Sequence, residues 1–222
     1  MNQTVGKDEI GTSGARRSAG QSNARSGQTR QGLVEAAIDA LREVGFAGAS
    51  ARAIASRAGS TQSQVFYHFG TVVDLLLAAL DEVSERRMKI YAPLLESATS
   101  PSELLETART VILSDLESGD LKVLVEMVAG AQTVPGLAEK VAERLTPWYA
   151  FAEAAVNKAS AGSPLRSLLP VGDIAHAVVA GILGLELLAS LDADRTRATA
   201  LLDHAAGIAL LMSAMPSSSR PT

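Results

Sequence analysis

The 222-residue chain contains no cysteine, which excludes disulfides, thiolate nucleophiles and cysteine-based metal sites. Histidine occurs three times, at His68, His176 and His204, and nowhere with the His-Glu-x-x-His spacing that puts two imidazoles on one helix face. No glycine-rich phosphate loop and no G-x-S-x-G turn is present, so the familiar marks of a nucleotide site or a serine hydrolase are missing. No catalytic residue, metal or cofactor is therefore expected. Aromatic residues are scarce at 4%, and the β-branched residues fall in short clusters that never build a strand pattern. No apolar run follows the early basic residues, so a secretory signal is not expected. The longest apolar stretch, residues 174–191, is interrupted by His176 and Glu186, and by this count it falls short of a bilayer span. These absences lead to the expectation of a soluble, cytoplasmic protein.

What is plentiful is leucine and alanine, within an apolar fraction of 47%. That composition favours helices and is large enough for a core. The net charge of −4 is unevenly spread. Residues 1–69 hold eight Lys or Arg against five acids, and the remainder holds twelve against nineteen. A basic front and an acidic rear suggest that the front end meets a polyanion.

Periodicity and punctuation divide the chain into an all-α fold of about nine helices. Residues 1–28 are rich in Gly, Ser, Gln, Asn and Arg and carry too little apolar surface to fold alone, so they read as a disordered basic arm. A first helix spans about 29–44, with Leu33, Ala37, Ile38 and Leu41 on one face and Gly45 as its stop. A fourth helix starts near Thr71, where Asp74 completes a capping box, and ends before Pro93. Ser100, Pro101 and Glu103 form an N-cap, first-turn proline and capping-box acid for a helix to about Ser118, closed by Gly119. A short apolar helix covers 120–132. Pro135-Gly136 opens a long one to about Ala159, bent by Pro147, and a loop fills 160–170. Two nearly all-apolar helices follow at about 171–191 and 195–215, and a polar tail closes the chain at 216–222.

The sharpest local signal is residues 50–69, SARAIASRAGSTQSQVFYHF. It reads as two short helices joined by a tight turn, the arrangement that lays a helix in the major groove of DNA. Ala55 permits close helix approach, Gly59 supplies a positive φ, and Ile54 and Val65 point inward to fix the angle between the helices. Thr61 caps the second helix through its hydroxyl, with a capping box through Gln64. Gln62 and Gln64 then project from the first turn, and a glutamine can bond adenine N6 and N7 together. Ser63 is small enough for close approach, and Arg52 reaches a phosphate or a guanine. Phe66 and Phe69 are expected to pack inward. Arg16, Arg17, Arg25 and Arg30 either enter an adjacent minor groove or merely solubilise the tail.

The series EVGF, IASRAG, VFYHFG and DLLLAAL resembles the N-terminal domain of TetR-family transcriptional regulators. The resemblance covers about residues 29–80. It implies a helix-turn-helix DNA-binding domain at 29–75 and a helical effector-binding and dimerisation domain at 76–215. It implies a homodimer that reads a near-palindromic double-stranded operator, with phosphate contacts from Tyr67 and His68. It also implies a small effector, largely apolar, among the middle helices, where Glu126, Met127, Gln132, Trp148, Tyr149, Phe151 and His176 are the candidates. The two C-terminal helices supply the subunit contact, through Gly181 and Gly184 on one and Ala206 and Gly207 on the other. Two positions depart from the family pattern: Ser60 stands where an aliphatic residue is usual, and Val72 follows Thr71 where a phosphate-binding lysine is usual. A repressor released by its effector is the leading expectation. A corepressor-dependent regulator, an activator and a helical protein-interaction module are the alternatives.

Overall fold

The computed structural model describes residues 11–161, 166–191, 200 and 203–204, with side chains from Asn23 onward. Among these residues the chain is all-α: α1 (Gly11–Gly48), α2 (Ala51–Arg57), α3 (Gln62–Phe69), α4 (Val72–Ser97), α5 (Pro101–Ser118), α6 (Asp120–Ala131), α7 (Leu137–Ala159) and α8 (Val171–Ala189), with a 3₁₀ turn at Arg166–Leu168. The ninth helix expected at 195–215 and the tail at 216–222 lie outside the described residues, as do residues 1–10 of the basic arm.

Three boundaries differ from the sequence reading. Residues 11–28 continue α1 instead of remaining unstructured. Once the packed part of α1 exists, adding further turns no longer carries the nucleation cost, so a polar segment can extend a helix it could not start. Gly45 does interrupt α1, at φ 70° and ψ −178°, and one more turn follows it. Pro93 does not end α4, which runs on to Ser97. The last carbonyls of that helix find an outside donor: the Lys158 ammonium binds the Leu95 carbonyl and reaches that of Glu96 at 2.8 Å. Likewise α7 continues through Pro147. The start signals hold: Thr71 Oγ1 accepts from Asp74 N at 3.0 Å and Ser100 Oγ from Glu103 N at 3.2 Å.

α1 packs on α2, α4 and α6, while α7 lies between α4 and α8. Leu33, Ala37, Ile38 and Leu41 of α1 meet Leu75, Leu76, Leu80 and Val83 of α4 in the core, all of them buried. The close approach of α1 to α6 depends on Gly130, where a Cβ would fall 2.3 Å from the ring of Phe46. Gly130→Ala is therefore expected to destabilise the fold by about 1–3 kcal/mol through overpacking. A urea midpoint matching the native chain would show that the Phe46 ring simply moves aside.

The membrane expectation needs correction on one point. Val171–Ala189 is 19 residues long with a mean hydropathy of 1.7, long and apolar enough to cross a membrane by length and composition. Its contacts with α6 and α7, and the burial of Glu186 within it, place it as one helix of the bundle.

Candidate nucleic-acid interface

The turn between α2 and α3 is built by hydrogen bonds that only a glycine at its apex allows. Gly59 takes φ 59°, which brings its N–H to the Ser56 carbonyl at 3.2 Å and the Ser60 N–H back to the Ala55 carbonyl at 2.8 Å. This pair closes the end of α2 as a Schellman motif. Ser60 occupies the position after the glycine, where a hydrophobic contact usually accompanies the motif, so its hydroxyl replaces an apolar anchor. Ile54, Ala55 and Val65 are buried beneath the turn and set the angle between the two helices. At the other end of α2, Ser50 Oγ accepts from Ala53 N at 3.2 Å. Val72 and Val73 begin α4 packed against the core, where a phosphate-binding lysine would have pointed outward.

This packing leaves one side of α3 bare. Thr61, Gln62, Ser63, Gln64 and Tyr67 are exposed, Arg52 of α2 is exposed beside them, and His68 is half-buried. Two expectations fail here. Thr61 occupies the N-cap position with extended backbone, yet its hydroxyl makes no cap hydrogen bond and no capping box forms with Gln64. The first turn closes through the Thr61 carbonyl instead, which accepts from Gln64 N at 3.0 Å. Phe66 does not pack inward: it is 49% exposed, on the same face as Gln62 four residues earlier. Val65 already fills the inward position, so its neighbour must turn outward. Phe69 does pack against the core, and the Arg30 guanidinium lies 4.9 Å from its ring centroid. Arg30 is thus held on the domain by a cation–π contact. Arg16, Arg17 and Arg25 lie along the same helix, α1.

A second feature lies among the later helices. A partly open cavity of about 240 Å³ lies among α4, α5, α6, α7 and α8, with Tyr91, Leu104, Ile112, Trp148, Phe151 and Val179 on its wall. Of the seven residues expected there, Trp148 and Phe151 line it. The other five are elsewhere. Met127 is fully buried in the core, and Gln132 is exposed at the end of α6. Tyr149 stacks on His176 with centroids 4.9 Å apart on the outer side of α7 and α8. Glu126 accepts from the Phe46 N–H at 2.8 Å, joining α6 to the break in α1. The wall was missed because it is made of Leu, Ala, Val and Ile, which in a sequence look like any other core.

One charged residue faces the cavity. Asp115 is 2% exposed, and the Arg87 Nη1 stands 2.9 Å from its Oδ1. Arg87 also binds Asp120, and Asp120 binds Arg42 of α1, so a chain of four charges runs from the cavity wall to the helix that packs on α2. Burial pushes the Asp115 carboxyl up to about 6, with Arg87 pulling the other way. The sign of the consequence follows from proton counting. Between its ordinary 3.8 and about 6, the folded chain holds a proton that the unfolded chain releases, so this group makes stability fall as pH rises across that window and has no further effect above it. Asp115→Asn is expected to remove that part of the pH dependence. Parallel stability–pH curves for the two proteins between pH 4 and 6 would contradict it.

Residues 33–79 match the sequence model of the bacterial regulatory proteins, tetR family. An HTH-type transcriptional regulator of Mycobacterium bovis is 34% identical over 116 residues, covering 52% of this chain and 59% of that protein. The CymR regulator of Pseudomonas putida is 27% identical over 121 residues, 53% of this chain and 58% of its own. The chain thus spans under two thirds of the length of these curated relatives. Residues 33–79 thus form an N-terminal domain of the tetR type. Among solved structures, the TetR-family regulator of Cytophaga hutchinsonii superposes with a TM-score of 0.67 at 17% identity over 88% of this chain and 98% of that one. The FadR regulator of Bacillus subtilis, solved with stearoyl-CoA, gives 0.68 at 15% identity over 84% and 99%. At such identities the likeness concerns the TetR fold, and it extends through α8, well beyond the segment that the family model matches.

Proposed function

We propose that this TetR-family chain is a cytoplasmic, homodimeric repressor that binds a near-palindromic operator and is released by a small, largely apolar effector. The observation that carries the reading is the pairing of an exposed, polar α3 face, held by the Gly59 turn, with an apolar cavity in the same bundle. Gln62 and Gln64 read adenine edges, and Ser63 lets the helix sit close. Phe66 adds an apolar edge suited to a thymine methyl group. Arg52, Thr61, Tyr67 and His68 bind the backbone, where contacts position the protein without reading sequence. Arg30, already on Phe69, orients the lead into α1.

The dimer reading rests on α8. Val178, Leu187, Leu188 and Leu191 are exposed at its surface and just beyond it, and a Cβ at Gly181 or Gly184 would meet nothing within 4 Å. Such a face suits a second copy of the same helix approaching across a two-fold axis. Ala206 and Gly207, expected on the companion helix, lie outside the described residues. Coupling runs through α1, which packs on α2 of the helix-turn-helix and meets α6 at the Phe46–Glu126 hydrogen bond and the Arg42–Asp120 pair. An effector acts by binding more tightly when the two α3 helices are spaced wrongly for successive major grooves.

Selection of bound sequences from a random double-stranded pool by the purified protein at physiological salt tests this. An enriched near-palindrome is expected. Weak, salt-sensitive binding with no enriched sequence would assign the helix-turn-helix to another partner.

A further inference from the structure

We propose that the cavity selects neutral apolar molecules carrying a hydroxyl, such as alcohols or phenols, through Asp115, and discriminates against carboxylates. The inference rests on reading the cavity as the effector site. Nearly all of its wall is hydrocarbon or aromatic, and Asp115 is its single ionisable acid or base outside the Tyr91 phenol. Trp148 contributes no free donor, because its Nε1 already donates to Ser84 Oγ at 3.0 Å.

Asp115 needs a donor. Arg87 is close enough to its Oδ1 for an ion pair, yet that oxygen is buried and makes no hydrogen bond. Asp115 is the wall's one carboxyl, and a ligand hydroxyl that donates to it regains a hydrogen bond that the hydrocarbon wall cannot offer. The charge balance around Asp115 leaves no spare cation. Arg87 is shared between Asp115 and Asp120 and donates to Ser118 Oγ at 2.8 Å, while Arg42 faces both Asp120 and Asp39. The two guanidiniums thus face three carboxylates. No positive charge is left over for an anionic ligand, and a carboxylate entering the cavity would meet Asp115 as a like charge in a low-dielectric wall. Arg87 itself does not line the cavity.

Three probes of equal chain length separate the possibilities: n-decanol, its ether isomer methyl nonyl ether, and decanoate. Trp148 is the chain's one tryptophan and sits on the wall, so its fluorescence reports occupancy directly. In the native chain, n-decanol is expected to bind at least about tenfold more tightly than either the ether, which lacks the donor, or decanoate, which carries the like charge. In Asp115→Asn the penalty on decanoate is expected to disappear, bringing its affinity up toward that of the alcohol. Equal binding of alcohol and ether, or tighter binding of decanoate, by the native chain would overturn the inference while leaving the cavity a ligand site. No fluorescence response to any of the three would overturn both. The native-chain comparison stands on its own should the variant fail to fold.

Discussion

Replacing Gln62 and Gln64 together by alanine is expected to lower specific operator affinity by about 30-fold to 10⁴-fold at constant salt, since each bidentate base contact carries about 1–3 kcal/mol. Both side chains are exposed and neither takes part in the turn, whose hydrogen bonds come from the backbones of Ala55, Ser56, Gly59 and Ser60. Alanine is also a better helix former than glutamine, so α3 persists. The loss should therefore appear in specific binding alone. Non-specific affinity and the slope of log affinity against log salt should not change, because the phosphate contacts are untouched. A loss of under threefold would move sequence reading away from the first turn of α3, toward Phe66 and Tyr67.

The second large effect is expected at Arg87, away from both sites' surfaces. Arg87→Ala should destabilise the fold by about 3–5 kcal/mol, the typical cost of removing one partner from a buried charge cluster. Its side chain is 13% exposed, and the carboxylates it serves, Asp115 and Asp120, are 3% and 11% exposed. Without Arg87, Asp115 has no cation beside it, and Asp120 keeps Arg42 alone. Equilibrium urea unfolding measures the change. Arg87→Met, which keeps most of the stem and discards the charge, should lose nearly as much. If methionine restores stability, the role of Arg87 is packing. The exposed Lys89–Glu85 pair on the same helix gives the contrast, since its removal should leave the urea midpoint essentially unchanged.

The DNA-binding end was largely legible in the sequence because its determinants are local. A glycine with positive φ and inward Ile54 and Val65 act within a dozen residues of one another. The errors there came from small local competitions. The Thr61 hydroxyl does not cap, and Phe66 turns outward because Val65 holds the inward position. The cavity was poorly legible. Five of its seven expected residues were polar, aromatic or sulphur-bearing side chains that the fold uses elsewhere, as the stack of Tyr149 on His176 shows. Pro93 misled for a related reason. It marks a helix end by local rule, and the Lys158 side chain, more than sixty residues away, satisfies carbonyls near the end of that helix.

The sequence by itself determined the helical class, most helix boundaries, the helix-turn-helix and the basic excess of the front end, because composition, capping, turn chemistry and apolar period are read directly or over a few residues. Only the tertiary structure decided where the cavity lies and which charge faces it. Arg42, Arg87, Asp115 and Asp120 come from four different helices, and each alone looks like an ordinary surface residue. Their meeting depends on how α1, α4, α5 and α6 pack, and long-range packing sets burial, and with it the strength of every charge in the cluster.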